Sequence, residues 1–147
     1  MRERTTLAPR FGIRYGPCAM GMEIDIDVRA QQGYCLVVIR GPLEPTGIET
    51  GVARLVADPA FRPGLPTVFD LSSTELGHLT PKSISSIHTI NARYATRRGQ
   101  ACVALVAPDD LRFGVARMIE ALGTSENLRM QVFRDFDAAV HWAVTGA

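Results

Sequence analysis

The sequence predicts an α/β protein built on a single five-stranded mixed sheet flanked by four helices. Two observations predict this fold class. Five short segments between residues 22 and 133 have the apolar runs or alternation of strands, and four segments with helical periodicity follow the second to fifth of them. A helix between two strands is typical of a parallel crossover. The predicted order is therefore β-β-α-β-α-β-α-β-α, with the first strand antiparallel.

The first two strands form a predicted hairpin. Apolar and charged residues alternate from 22 to 29, which predicts a strand with one buried face. This alternation places Asp25 and Asp27 on its outward, solvated face and explains them without a metal or acid–base site. A Gln-Gln-Gly turn over 31–33 leads into an apolar run over 34–39. The short connection favours antiparallel pairing, and the unbroken run indicates a central strand covered on both faces.

The first helix and the third strand follow. Apolar residues at i, i+4, i+7 and i+8 predict a helix that starts around Pro45 and ends near Asp58, before Pro59. Its stripe consists of Ile48, Val52, Leu55 and Val56. Residues 67–71 (TVFDL) predict the third strand, and residues 72–79 are expected to form a polar loop.

The second helix is predicted from Pro81 to about Arg97. Thr80 can cap its free N–H groups, and proline is favoured at the first helical position. Gly99 suits its C-terminal cap. Its stripe is thin and partly polar: Ile84, Ile87, Asn91 and Tyr94. The basic cluster at its end, Arg93, Arg97 and Arg98, is expected to be solvated and to interact favourably with the negative helix terminus.

Residues 101–107 and 129–133 predict the fourth and fifth strands. Asp109 or Asp110 caps the third helix between them, and Asp135 caps a fourth helix at the end. The third helix is expected to pack through Leu111, Val115, Met118, Ile119 and Leu122. In the fourth helix, Trp142 is expected to dock the helix onto the sheet.

The chain therefore has one predicted domain over 22–145, preceded by an arginine-rich segment over 1–21. That segment holds four arginines against one glutamate. We expect it to be a flexible extension, or the product of a start codon assigned too early, with Met20 or Met22 as the natural start. The whole chain has a net charge of +1, which gives no field that would attract nucleic acid.

Several classes of protein are excluded by composition. The longest apolar run, over 101–107, has seven residues, whereas a membrane-spanning helix needs about 20. Cys18, Cys35 and Cys102 are odd in number and form no Cys-x-x-Cys pair, so no disulfide framework or zinc site is predicted. Cys35 and Cys102 lie in apolar runs and are expected to be buried thiols, as a reducing cytoplasm permits.

No catalytic chemistry is visible either. His78, His88 and His141 lie far apart, and none has a metal-ligand neighbour at the required spacing. The dinucleotide fingerprint, the phosphate loop of NTPases and the nucleophile elbow are all missing from the sequence. We therefore expect a non-enzymatic protein without a metal or cofactor.

From the third strand onward, the chain resembles the SpoIIAA-like proteins, also described as STAS/SEC14-like domains. The matching stretches are TVFDLSS over 67–73, the helix start at Thr80-Pro81, ACVALVAPDD over 101–110, FGVARM over 113–118 and VFRDFDAAVHWAV over 132–144. The element order predicted above is also the STAS order. The resemblance covers about residues 22–145 and implies that fold.

STAS domains of the anti-sigma-antagonist type bind a partner protein and are switched by serine phosphorylation in the loop before the second helix. The resemblance therefore implies a regulatory interaction module. Its implied contact residues, on the loop after the third strand, are Ser72, Ser73, Thr74, His78 and Thr80. The family's Asp-Ser-Ser-Gly sequence is missing, so Thr80 and Ser73 are only the hydroxyls nearest to the phosphorylated position. A phosphate at Thr80 would meet a helix N-terminus, although capping is the ordinary role of this residue.

The resemblance also has a SEC14-type branch, which implies a small apolar ligand or lipid held under a movable second helix. The thin stripe of that helix and the glycines Gly77 and Gly114 suit such a lid, but a chain of this length has little core to give up to a cavity. A homodimer is a further option, because the first strand can form an open sheet edge.

Overall fold

The computed structural model describes residues 13–15 (backbone only), 21–77, 79–123 and 128–146. In chain order its elements are β1 (Ile13–Tyr15), β2 (Glu23–Arg29), β3 (Tyr34–Pro42), α1 (Pro45–Ala57), β4 (Thr67–Glu75), α2 (Pro81–Arg98), β5 (Ala101–Val106), α3 (Asp110–Gly123), β6 (Leu128–Phe133) and α4 (Phe136–Thr145). The predicted fold class and the order of its nine elements are confirmed, and β1 is added.

The strands lie in the sheet in the order in which they occur in the chain. β1, β2 and β3 pair antiparallel, whereas β3, β4, β5 and β6 pair parallel. From β3 to β6, each strand is added next to the previous one in the same direction across the sheet. Right-handed crossovers therefore place α1, α2 and α3 on one face of the sheet. α4 follows the last strand and covers the other face.

Each face of the sheet has its own apolar core. The larger core lies under α1, α2 and α3, and the smaller one lies under α4. β3 contributes to both, with Cys35 and Val37 on one face and Leu36 on the other, which confirms its predicted central place. Trp142 is 6% exposed and its ring centre lies 5.6 Å from that of Phe133, so it docks α4 as predicted.

β1 lies within the segment predicted as an extension. It pairs with β2 through Ile13 and Ile26 and through Tyr15 and Ile24. β2 is therefore flanked on both sides, and the expectation that it forms the sheet edge was wrong. Residues 1–12 and 16–20, including Cys18, lie outside the described residues. That residues 1–21 are dispensable stays a prediction.

Asp25 differs from its prediction as a solvated residue. It is 2% exposed, and Arg40 donates to its Oδ2 at 2.5 Å. The counter-charge comes from Arg40 on β3, the strand that pairs with β2. A buried carboxylate of this kind needs a cation beside it. Asp27 stays partly exposed and pairs with Arg29 at 2.9 Å.

Arg98 is also buried, contrary to the prediction of a solvated basic cluster. It is 1% exposed and lies seven residues after Asn91, so it continues the buried stripe of α2. Its guanidinium carbon lies 5.9 Å from the centre of the Phe69 ring. Neither Nη1 nor Nη2 has a hydrogen-bond partner among the described residues. Burial lowers the pKa of Arg98 to about 10.

The packing face of α3 was predicted correctly only in part: Ile119 is buried as predicted and Val115 is half-buried, but the rest of the predicted stripe is not. Ala116, Ile119 and Gly123 are buried, whereas three members of the predicted stripe are about half exposed or more: Leu111, Met118 and Leu122. The helix is turned by about 100° from the predicted orientation. Gly123 lies closely against the end of the Met130 side chain of β6, which would have to move if a Cβ were added at this position.

Candidate functional site

The candidate site lies where the parallel strands end, because the loops that follow them meet at one edge of the sheet. β4 runs to Glu75 rather than ending at Leu71, so half of the predicted loop is strand. Its final residues pair with those of β3, for example Ser73 with Arg40, beyond an irregularity between Val38 and Arg40. Sequence analysis missed this extension because Ser-Ser-Thr-Glu has no apolar alternation.

Ser72 and Ser73 are both exposed but are held differently. Asp70 accepts hydrogen bonds from the Ser72 hydroxyl at 2.6 Å and from its backbone N–H at 3.0 Å. The Ser73 hydroxyl has no hydrogen-bond partner among the described residues. Register partners have their side chains on the same face, so Ser73 lies beside Arg40. Ser73 therefore offers an available hydroxyl next to a cation.

Thr74 is fully buried and does not belong to the surface. Its hydroxyl donates to the carbonyl of Leu71 at 2.6 Å. Its own carbonyl accepts from Nε of Arg112 at 2.8 Å. Thr74 thus fixes the end of β4 and connects it to α3.

Thr80 is exposed and caps α2 as predicted. Its Oγ1 accepts from the backbone N–H of Ser83 at 3.1 Å. Just before it, the N–H of Leu79 donates to the carbonyl of Leu76, which is 3% exposed and anchors the turn in the core. His78 lies outside the described residues.

Two arginines at this edge bind the loops to one another. Arg112 forms an ion pair with Asp109, and the Arg112 backbone N–H, followed by its guanidinium, holds the pKa of Asp109 below its usual value. Arg134 pairs with Asp110 at 3.0 Å. The two aspartates were predicted only as helix caps, since nothing in the sequence indicates these arginine partners. Both arginines are engaged, which indicates a structural role.

Two cavities lined by described residues lie against α2. An apolar gap between α2 and the sheet, bordered by Phe69, Ile87 and Asn91, has a volume of about 30 Å³ and fits a water-sized molecule. A groove of about 380 Å³ between α1 and α2 is open and has polar walls that include Glu49 and Arg93. Within the described ranges, no group of three His, Cys, Asp or Glu residues could hold a metal ion.

Comparison with solved structures gave a match that covers most of both chains. It is an uncharacterized protein of the DUF3478 family, with a SpoIIAA-like fold, from Shewanella loihica PV-4. The two chains are 14% identical with a TM-score of 0.57, and the match covers 88% of this chain and 98% of the other. This chain has a SpoIIAA-like fold. The fold predicted from the resemblance is thus confirmed.

Comparison with protein-family models gave no match, and no curated protein matches the chain. In the part of the chain that the structure describes, no helix is both long and apolar enough to cross a bilayer.

Proposed function

We propose that this SpoIIAA-like protein is a non-enzymatic regulatory module that binds a partner protein at the edge formed by Ser72, Ser73 and Thr80 and by the start of α2. The observation that carries this proposal is the contrast within the edge. The residues that carry its hydroxyls, Ser72, Ser73 and Thr80, are exposed. Thr74 and Leu76 lie between them in the chain, are buried and anchor this edge to the core. A surface that is already ordered loses little conformational entropy when a partner binds.

Ser73 is the better candidate for phosphorylation. Its hydroxyl is available, whereas that of Thr80 is engaged as the cap of α2. A phosphate on Ser73 would lie beside Arg40 and compete with Asp25 for its guanidinium. The added negative charge would also alter what the edge can bind. Phosphorylation at this position would therefore act as a switch on partner binding.

The alternative, a carrier of a small apolar ligand or lipid, has less support. Ligand pockets have volumes of about 300–1,000 Å³ and are mostly apolar. The apolar gap beneath α2 has about a tenth of the smaller volume. Native mass spectrometry of the protein purified from its own cells tests this alternative, which predicts a co-purifying ligand.

The interaction proposal is tested by affinity purification from the native cells with quantitative mass spectrometry. Ser73→Asp adds a charge at the available hydroxyl, and Thr80→Asp adds one while keeping a good capping residue. We expect both variants to recover at least tenfold less of a specific partner than the wild type, as about 1.4 kcal/mol of lost binding would give. The matched control is Gln32→Asp, an exposed turn residue at the opposite end of the sheet. Equal recovery by all four proteins would refute the proposed surface.

A further inference from the structure

Arg98, Thr67 and Cys35 form a buried polar group that we call the Arg98 cluster. It lies where the parallel strands begin, at the end of the sheet opposite to Ser73 and Thr80. All three side chains are at most 1% exposed. Neither Nη1 nor Nη2 of Arg98 has a hydrogen-bond partner among the described residues, and the same holds for the hydroxyl oxygen of Thr67. The proposed function makes no use of these groups.

The three side chains lie on the same face of the sheet. Cys35 of β3 is the register partner of Thr67 of β4, and Thr67 shares its face with Phe69, two residues further along the strand. The guanidinium carbon of Arg98 lies 5.9 Å from the centre of the Phe69 ring. Burial raises the pKa of Cys35, and the nearby positive charge of Arg98 opposes that rise. A cation and two small polar side chains therefore lie together in the larger core.

The Arg98 cluster has no negative charge of its own. A buried cation is stable only when it is paired and hydrogen-bonded. The two carboxylates that act electrostatically on Cys35 have other partners: Asp27 is paired within β2 at 2.9 Å, and Asp58 accepts from the backbone N–H two residues further on at 2.8 Å. The Cys35 thiol is neutral at pH 7, because burial raises its pKa to about 12. The described part of the chain thus provides no counter-charge for Arg98.

The unpartnered groups of the cluster are mostly hydrogen-bond donors. Each terminal nitrogen of a guanidinium carries two N–H groups, and the threonine hydroxyl adds one O–H. A water molecule would accept some of these bonds but would leave the charge of Arg98 uncompensated. A small anion accepts from several donors at once and also neutralises the guanidinium, and such charge-assisted bonds are the stronger ones.

The loop over 61–66 packs on the end of α2 and covers this end of the core. Phe61 and Leu65 pack against the larger core, and the N–H of Gly64 donates to the carbonyl of Arg98 at 2.7 Å. Residues 62–64 are exposed. Because short exposed loops open at a smaller cost than the core, an ion can reach the cluster without global unfolding.

We propose that the Arg98 cluster binds a small monovalent anion such as chloride, held by Nη1 and Nη2 of Arg98 and by the hydroxyl of Thr67. The ion would provide the missing counter-charge and would connect the end of α2 to the beginning of β4. This inference goes beyond the proposed function, because the site lies at the opposite end of the sheet from the interaction edge.

The experiment measures urea unfolding by circular dichroism at pH 7 in sodium chloride and in sodium gluconate, whose large organic anion is the reference. Both salts are used at an ionic strength of about 0.5 M, so that screening is equal. A ligand that binds only the folded state stabilises it in proportion to its occupancy. We expect chloride to raise the folding equilibrium constant of the wild type at least tenfold relative to that of Arg98→Met, as a dissociation constant of about 50 mM would give.

Two further variants make the measurement specific. Thr67→Val removes only the hydroxyl and should show a smaller chloride effect than the wild type. Arg97→Met is the matched control, because it removes an exposed cation at the neighbouring position and should keep the full effect. The proposal is wrong if chloride acts equally on the wild type and Arg98→Met, or if Arg97→Met loses the effect to the same extent as Arg98→Met.

A second measurement needs no variant. Bromide has the charge of chloride and a strong anomalous X-ray signal. In wild-type crystals soaked in sodium bromide, we expect an anomalous peak within hydrogen-bond distance of Nη1 or Nη2 of Arg98. Water alone at this place, or bromide at surface positions only, overturns the proposal. Neither measurement involves Ser73 or Thr80, so a failure here is distinct from a failure of the proposed function.

Discussion

Replacing Arg98 by methionine should raise the stability of the protein, because the guanidinium is buried and has no carboxylate partner among the described residues. The fall of its pKa from 12.5 to about 10 corresponds to about 3 kcal/mol against the charged form in the folded state, at about 1.4 kcal/mol per pH unit. Methionine removes this penalty and keeps an unbranched chain against Phe69, but it loses a cation–π contact of about 1 kcal/mol. We therefore expect a net gain of about 2 kcal/mol.

The assay is urea unfolding followed by circular dichroism at pH 7, with Arg97→Met as the control at an exposed neighbouring position. The folded pKa of Arg98 lies below the unfolded one, so the penalty is complete below pH 10 and is relieved as the pH rises through 10. The difference between Arg98→Met and the wild type should therefore shrink between pH 9 and pH 11. A loss of stability of more than about 1 kcal/mol in Arg98→Met would refute the reasoning.

Three further predictions concern stability. Burial raises the pKa of Cys35 from 9.0 to about 12, so the contribution of the neutral thiol to the free energy of unfolding is complete below pH 9 and is lost towards pH 12. From pH 9 to pH 11, the free energy of unfolding of Cys35→Ala should therefore fall less than that of the wild type. Equal slopes of the two proteins against pH would contradict this. Thr80→Ala should cost about 1 kcal/mol in urea unfolding and Thr80→Ser little, whereas equal losses would argue against the cap. Gly41→Ala should cost at least 1–2 kcal/mol, because Gly41 has a φ of +82° and the added Cβ would lie 2.7 Å from the carbonyl oxygen of Gly21. Gly114→Ala, in open space on α3, is the matched control and should not destabilise; similar melting of both variants would contradict the assignment.

The sheet could be predicted from the sequence because its central strands are continuous apolar runs. β3 and β5 are covered on both faces, so nearly every residue in them carries the signal. The start of α2 was equally predictable, since Thr80 as the cap and Pro81 at the first helical position act through local backbone geometry. These predictions depend on neighbours in the chain and need no knowledge of distant contacts.

The packing face of α3 could not be predicted in this way. Leu111, Met118 and Leu122 have the helical spacing and the size of core residues, whereas Ala116 and Gly123 give a weaker signal. Large side chains were a misleading guide to the packing face, because α3 packs closely on β6 and small residues permit that approach. Apolarity alone does not tell which apolar residues of a helix face the core.

Charged residues were misplaced for a related reason. The position of Arg98, seven residues after Asn91, places it on the buried stripe of α2, but its charge led to the prediction of an exposed side chain. Asp25 is buried because Arg40 of the neighbouring strand supplies a counter-charge. At the candidate site, Ser72 and Ser73 were identified through the resemblance to STAS domains, whereas the burial of Thr74 depends on its hydrogen bond to Leu71 and on the extension of β4.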